Sequence, residues 1–208
     1  LLAMYPGLGG LKGGSQEAEA ELFSEIAALY TIALFVIYAL IAVAFRSYSL
    51  PLLIMTAMPF GFMGAVFGHL IFNEPMALFS YFGIGAAAGV VVNDNLVLID
   101  YVRRLEREGM ASPKAILTSA VSRFRPIFLT TVTTFVGLIP IMAEQSTSAQ
   151  FLKPAVLSLA FGVFFALFVS LLLVPAMYLI GYDWRQWREA RKARKAGDEI
   201  GAPLPTST

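Results

Sequence analysis

Charged residues divide this chain into long apolar runs. Four runs contain no charged residue: those between Glu25 and Arg46, Arg46 and Glu74, Arg125 and Glu144, and Lys153 and Asp183. In a fifth run, Asp94 and Asp100 interrupt an otherwise apolar stretch. Roughly twenty apolar residues are enough for a helix to cross the hydrocarbon core of a bilayer. The pattern therefore predicts five membrane-spanning helices, at about 22–45, 50–72, 77–104, 126–143 and 151–182.

Composition indicates the same fold class. Hydrophobic residues make up 58% of the chain and charged residues 14%, whereas soluble domains carry about 25% charged residues. A membrane β-barrel would need short segments that alternate apolar and polar residues, but the run 32–45 is apolar at almost every position. We therefore predict an all-α, polytopic membrane helix bundle.

The absence of cysteine and the single histidine limit the chemistry of the chain. Without cysteine, disulfides, thiolate metal sites and a cysteine nucleophile are excluded. His69 by itself makes a histidine-based metal site improbable, so we expect no metal and no cofactor. Its position near the outer end of the second span is more typical of an interfacial residue than of a proton relay. We also expect no nucleic-acid partner.

Lysine and arginine predict the orientation of the helices. Thirteen of the fifteen basic residues lie on one side of the predicted bundle, and only Lys12 and Lys153 lie on the other. Since basic loops are retained in the cytoplasm, we expect the C-terminus there and the N-terminus outside.

Three segments lie outside the predicted spans. In the first of these, 1–20, residues 1–14 are Gly-rich and lack the pattern of a signal peptide, which suggests a piece of a longer protein. Residues 112–124 begin with Ser112-Pro113 and carry one apolar face, which predicts an amphipathic helix on the membrane surface. In the basic tail, 184–208, we expect Trp184 and Trp187 at the interface and partial disorder beyond about Ala196.

Asp94 is the residue least expected in a membrane helix. Counted back from Arg103, it lies about 13 Å inside the cytoplasmic border, where an ionised carboxylate costs several kcal/mol and usually takes part in transport. The alternative is that Asp94 stays protonated and only donates a hydrogen bond. Asp100 lies about one turn inside the border, where water, Arg103 or Arg104 can satisfy it, so we interpret it as mainly structural.

Polar and small residues surround Asp94 in the sequence. Asn93 and Asn95 flank it, and a threonine hydroxyl on the fourth span could hydrogen-bond Asp94 or Asn93; the candidates are Thr130, Thr131, Thr133 and Thr134. The plainer alternative for Asn95, Thr131 and Thr133 is that they join helices, at about 1 kcal/mol per contact. Two GxxxG spacings predict close helix packing: Gly64 with Gly68, and Gly85 with Gly89.

Three motifs resemble one transporter family in order and spacing. They are FRSYSLP at 45–51, GVVVNDNLVLID at 89–100 and RFRPIFLTT at 123–131. Together they resemble the C-terminal membrane part of the resistance-nodulation-division (RND) transporters, closest to the hydrophobe/amphiphile multidrug efflux (acriflavin resistance protein-like) branch. The resemblance covers about 21–180, most of the chain.

The resemblance implies that the five helices are the eighth to twelfth of a twelve-helix subunit, and that 1–20 ends a periplasmic porter region. It implies a proton-driven secondary transporter, not an enzyme, in the bacterial inner membrane. Its partners would be membrane lipid, the N-terminal half of the same protein, two further copies in a homotrimer, a periplasmic adaptor and an outer-membrane channel. The N-terminus would be periplasmic and the C-terminus cytoplasmic.

By motif position, the resemblance implies a proton pathway through Asp94, Asn93 and Thr130, with support from Asp100, Arg123, Asn95 and Thr134. Well-known drug pumps of the family look to have a lysine where this chain has Asn93. Asn93 cannot carry charge, so Asp94 or carboxylates of the other half would have to replace that lysine.

Other functions remain open at the level of the sequence. One alternative is an RND relative that moves lipids or secreted protein with the same membrane part. Another is an inactive truncated remnant. An intramembrane hydrolase using Asp94 and Asp100 is disfavoured, because the two acids lie on different helix faces and lack a Gly-x-Gly-Asp context.

Overall fold

The computed structural model describes the backbone of residues 15–200, and the side chains of 20–146 and 149–191. The proposed end of a porter region therefore lies outside the described residues up to position 14, as does the tail from 201 onward. The described chain forms six helices: α1 (Ser15–Phe45), α2 (Ser49–Met55), α3 (Met58–Phe72), α4 (Leu78–Arg107), α5 (Ser112–Ala143) and α6 (Thr147–Ile200).

Five stretches of this helical fold are long and apolar enough to cross a membrane, and α2 and α3 together make the second. The prediction of an all-α bundle with five spans is confirmed. The chain divides into two compact units, residues 1–52 and 53–208.

In the first unit, α1 ends in a tight turn at Arg46. Arg46 takes a left-handed backbone conformation, with φ of 51°, and the Ser47 N–H donates to the Ala42 carbonyl at 3.2 Å. This pattern closes the last turn of a helix by giving a partner to a carbonyl that the helix leaves free. The Tyr38 hydroxyl donates to the Tyr48 carbonyl at 3.2 Å and ties the turn back to the helix.

In the second unit, α6 is the central packing element, because α3, α4 and α5 all contact it. Small side chains fill its buried face, including Ala160, Ala166 and Gly162. Small residues let helix backbones approach closely, which is the main source of helix association in a membrane.

Two boundaries differ from the sequence predictions. Residues 112–124 do not form a separate helix, because α5 runs without interruption from Ser112 to Ala143 and continues through Pro126. The tail is helical up to Ile200, including the residues from 196 that we expected to be disordered. With 54 residues, α6 is about 81 Å long, far more than the roughly 30 Å of a hydrocarbon core.

Candidate functional site

Local capping fixes where α4 begins and ends, and so where along the helix its polar cluster lies. At its start, the Ser80 hydroxyl oxygen accepts a hydrogen bond from the Ala77 N–H at 3.0 Å. At its end, Gly109 has φ of +92°, a conformation that glycine adopts without steric cost. The cluster 93–95 consequently falls at the middle of the 30-residue helix.

The three residues of this cluster lie in three different environments. Asn93 is exposed, Asp94 is half-buried and Asn95 is only 2% exposed. Successive helix positions differ by about 100°, so the three side chains point in different directions. Asn95 lies on the packed side of α4 and Asn93 on its exposed side. Among the described residues, Asp94 forms no hydrogen bond or ion pair with another side chain.

Asn95 is the member of the cluster that joins helices. Its Nδ2 lies 3.4 Å from the carbonyl oxygen of Ile54, in the last turn of α2. One turn earlier, Val91 packs with Ala57 and Ala166 in a buried apolar cluster. Asn95 therefore belongs to the interface of α4 with the second span, as the helix-joining alternative expected.

The threonines of α5 bond to their own helix. The Thr130 hydroxyl donates to the Pro126 and Ile127 carbonyls at 3.1 and 2.9 Å, and the Thr134 hydroxyl to the Thr130 carbonyl at 2.8 Å. The hydrogen bond that we expected from a threonine to Asp94 or Asn93 is thus not formed in the described part of the chain. Thr130 is exposed, as is Asn93, whereas Thr131 is 2% exposed.

Arg123 and Asp100, two of the residues expected to support the proton pathway, lie near the basic end of α4, which carries Arg104 and Arg107. The Arg123 guanidinium lies over the Tyr101 ring, 4.9 Å from its centroid, and joins α5 to α4. Asp100 is exposed, and Arg104 pairs with Glu108 at 3.1 Å along the same helix. Of the groups expected to satisfy Asp100, which were water, Arg103 and Arg104, Arg104 thus has another acid as its partner.

Of the predicted packing glycines, Gly64 and Gly68 pack closely on α6. A Cβ on Gly64 would lie 2.5 Å from the Phe161 carbonyl oxygen, and one on Gly68 would lie 2.7 Å from the Phe161 side chain. Gly89 differs from this expectation, since a Cβ there would meet nothing within 4 Å. Its position on α4 faces away from the neighbouring helices, which a GxxxG spacing cannot indicate.

At the opposite end of the bundle, His69 is buried between helices, with 4% of its surface exposed. Its Nε2 lies 2.9 Å from the Ser158 hydroxyl oxygen on α6, and its Nδ1 lies 3.1 Å from the Glu74 carbonyl oxygen. The Glu74 carboxylate in turn pairs with Lys153 at 2.6 Å. This cluster could not be predicted from the sequence, because its members are up to 89 positions apart.

Two further polar contacts join α4 to other helices near the basic end. The Ser119 hydroxyl donates to the Leu98 carbonyl at 2.9 Å in a buried setting. The Tyr178 hydroxyl donates to Glu106 Oε1 at 2.8 Å and links α6 to α4. Neither contact could be predicted from the sequence, because a serine or tyrosine in an apolar helix does not indicate its partner.

Comparison with known protein families identifies the chain. The model of the AcrB/AcrD/AcrF family matches residues 2–181. The chain belongs to the AcrB/AcrD/AcrF family. The expected relationship to RND transporters is confirmed.

Curated relatives of this AcrB/AcrD/AcrF family member include proteins named for resistance to different classes of compound. The multidrug resistance protein MdtC of Proteus mirabilis is 27% identical over 178 residues, which are 83% of this chain and 17% of MdtC. The cobalt-zinc-cadmium resistance protein CzcA of Cupriavidus metallidurans is 25% identical over 170 residues, 82% of this chain and 16% of CzcA. The chain thus spans about one-sixth of the length of these relatives.

A solved structure has the same helical arrangement. The crystal structure of a heavy metal efflux pump superimposes with a TM-score of 0.69 and 23% identity, over 80% of this chain and 16% of the pump. At this identity the likeness establishes the fold alone. The family member described here therefore has the fold of the corresponding part of that protein.

Proposed function

We propose that this chain forms part of a proton-driven RND exporter, in which Asp94, Asn93 and Thr130 line part of the transmembrane proton pathway. The observation that carries the proposal is the exposure of polar side chains at mid-helix positions of α4 and α5. Asn93 and Thr130 are exposed although each lies close to a buried polar neighbour, Asn95 and Thr131.

An exposed asparagine beside a half-buried carboxyl is costly if lipid covers it. Insertion of an aspartate at the centre of a membrane helix costs roughly 2.5–3.5 kcal/mol, and such residues usually face a bundle interior or a water-filled cavity. The exposed polar side of α4 is therefore best explained as a surface that other helices of a longer protein cover. Relatives six times as long as this chain are consistent with such a covering half.

The role of Asp94 follows from this arrangement. Its carboxyl is the one acidic group in the middle of a span among the described residues, and no other side chain there neutralises it. A carboxyl without a fixed partner can bind and release a proton as carboxylates or basic groups of the covering half approach it. Proton movement would then be coupled to a change in the packing of α4.

The Thr130 hydroxyl is suited to accept a hydrogen bond from such a group. Its single hydrogen is committed to the carbonyls of its own helix, which leaves the oxygen lone pairs available on the exposed side. A water molecule or a protonated side chain of the covering half can donate to it.

For the cargo, we propose hydrophobic or amphiphilic compounds, which relatives named for multidrug resistance support. Metal ions are the second candidate, supported by relatives named for cobalt, zinc and cadmium resistance. Export assays of the full-length transporter with a lipophilic dye and with divalent cations distinguish the two, because each predicts resistance to only one of these classes.

The same proposal includes the assembly and orientation of the protein. We place the basic end of the bundle, with the C-terminus, in the cytoplasm and the N-terminus in the periplasm of a bacterial inner membrane. The full-length protein would work as a homotrimer with a periplasmic adaptor and an outer-membrane channel. The coupling ion would be the proton, without a cofactor.

The test is export by the full-length transporter carrying Asp94→Asn. Asparagine keeps the shape of the side chain but cannot bind or release a proton, so export should be abolished while the amount of inserted protein stays the same. Glu108→Gln makes the same chemical change at an exposed position directly after the end of the same helix and should export normally. Normal export by the Asp94→Asn variant would disprove the role of this carboxyl.

A matched pair of threonines tests the pathway on α5. Thr130→Val and Thr133→Val each remove an exposed hydroxyl that bonds its own helix, so their effects on the helix should be equal. Export should fall only in the Thr130→Val variant, because only this position is proposed to line the path. Equal activity of the two variants would exclude Thr130 from it.

A further inference from the structure

The second span is broken where α2 ends at Met55 and α3 begins at Met58. Pro59 causes the break, since it has no N–H to donate to the Met55 carbonyl and its ring obstructs a continuous helix. Within the break, the Thr56 N–H and hydroxyl both donate to the Leu53 carbonyl, at 3.3 and 2.6 Å. The break thus leaves backbone carbonyls that need donors from elsewhere.

A side chain of α4 donates a hydrogen bond to one of these carbonyls. The Ile54 carbonyl accepts from Asn95 Nδ2 at 3.4 Å, and both residues are almost completely buried. In an apolar interior an unsatisfied carbonyl costs several kcal/mol, so this donor stabilises the broken form of the span.

Packing reinforces this contact. Val91 and Asn95 are one helical turn apart and lie on the same face of α4. Val91 packs on Ala57, inside the break, while Asn95 reaches Ile54 just before it. Two consecutive turns of α4 therefore touch the two sides of the break.

Asp94 directly precedes Asn95. A rotation or shift of α4 that brings the Asp94 carboxyl towards or away from a partner also moves the Asn95 amide relative to Ile54. The contact is long for an N–H···O hydrogen bond, whose usual range ends near 3.2 Å, so a small displacement of α4 is enough to lose it.

We propose that Asn95 is a positioning residue that transmits the protonation state of Asp94 to the break between α2 and α3. The inference rests on the proposed function of Asp94 and adds the element that responds to it. When α4 moves, the Ile54 carbonyl loses or gains its hydrogen-bond donor. The second span then changes between its broken form and a more continuous helix.

The test uses a cysteine reporter in the break. This chain contains no cysteine, so Met58→Cys provides a single thiol at a half-buried position of the break. The rate of its alkylation by a membrane-permeant maleimide is measured in membranes containing the full-length transporter, with any other cysteines replaced. Asp94→Asn imitates the permanently protonated state.

In the reporter background, Asp94→Asn should change the alkylation rate roughly 2- to 10-fold, the effect of one hydrogen bond on an equilibrium. Asn95→Leu has a similar size but no donor, and should remove the response to Asp94→Asn. Thr56→Val removes a hydrogen bond at the same break without touching α4, and should leave the response intact.

A response to Asp94→Asn that persists in the Asn95→Leu variant would overturn the proposal. If Asn95→Leu does not insert into the membrane, Pro59→Ala provides the test instead. It restores the N–H that proline lacks, so α2 and α3 should join into one helix and the alkylation rate should no longer respond to Asp94→Asn.

The alkylation and export measurements distinguish this proposal from the proposed function. Loss of export without any change in alkylation refutes only the role of Asn95, and a change in alkylation with normal export refutes only the proton pathway.

Discussion

The imidazole of His69 and the hydroxyl of Ser158 form a buried hydrogen bond between α3 and α6, with 2.9 Å between Nε2 and Oγ. The other ring nitrogen, Nδ1, lies 3.1 Å from the Glu74 carbonyl oxygen. A carbonyl oxygen only accepts, so Nδ1 carries the hydrogen. In the neutral ring, Nε2 is then the acceptor and Ser158 the donor.

Removal of this donor should destabilise the protein. Ser158→Ala leaves Nε2 buried without a partner, which costs about 1–3 kcal/mol. In a His69→Phe background the same change should cost much less, because no ring nitrogen remains to be satisfied. Thermal unfolding of the four variants of this double-mutant cycle in detergent measures the coupling. A coupling energy near zero would show that the contact contributes nothing to stability.

Two glycines should respond in opposite ways to the same substitution. Gly64→Ala places a methyl group against the Phe161 backbone, where a Cβ would lie 2.5 Å from the carbonyl oxygen. Overpacking of this kind costs about 1–3 kcal/mol. Gly89→Ala meets nothing within 4 Å and should be neutral or stabilising by up to about 1 kcal/mol, because alanine favours the helix.

Urea or heat unfolding in detergent micelles tests this pair of variants directly. The Gly89→Ala variant is the matched control, since it carries the same change on a helix of the same bundle. Equal stability of the two variants would contradict close packing of α3 on α6.

The contact between Tyr178 and Glu106 should stabilise the basic end of the bundle. Tyr178→Phe removes the hydroxyl that donates to the Glu106 carboxylate at 2.8 Å, at a cost of about 1 kcal/mol. In a chain of this size, that corresponds to a decrease of roughly 2–4 °C in the melting temperature.

Glu106→Gln provides the comparison for this contact. The glutamine carbonyl oxygen still accepts the hydroxyl hydrogen, so the loss of stability should be smaller than for Tyr178→Phe. A larger loss for Glu106→Gln would mean that the charge of Glu106, rather than its hydrogen bond, stabilises this end of the bundle.

The spans could be predicted from the sequence because they follow from a local property, the hydrophobicity of consecutive residues. A helix end at Phe45 or Phe72 is marked by the residues next to it, Arg46 and Asn73, both in the left-handed conformation that ends a helix. Pro59 by itself could not establish the break at Thr56–Ala57, because prolines in membrane helices do not always interrupt them. In α5 and α6, Pro126 and Pro175 lie inside continuous helices.

The polar contacts could not be predicted in the same way. Asn95 and Asn93 are the same residue type two positions apart, yet one is buried against Ile54 and the other is exposed. Gly64 and Gly89 both occur in GxxxG spacings, and only Gly64 touches a neighbour. Their difference depends on which face of each helix meets α6.

The sequence by itself determined that five helices are long and apolar enough to cross a membrane, since about twenty apolar residues must be helical in lipid whatever their neighbours are. It also indicated the family and singled out Asp94, because the energetic cost of a carboxyl in lipid is a property of the residue and its depth. Only the tertiary structure decided which side of each helix is packed. The partners of His69, Asn95 and Tyr178 were therefore decided by helix packing, which depends on the shapes of several helices together.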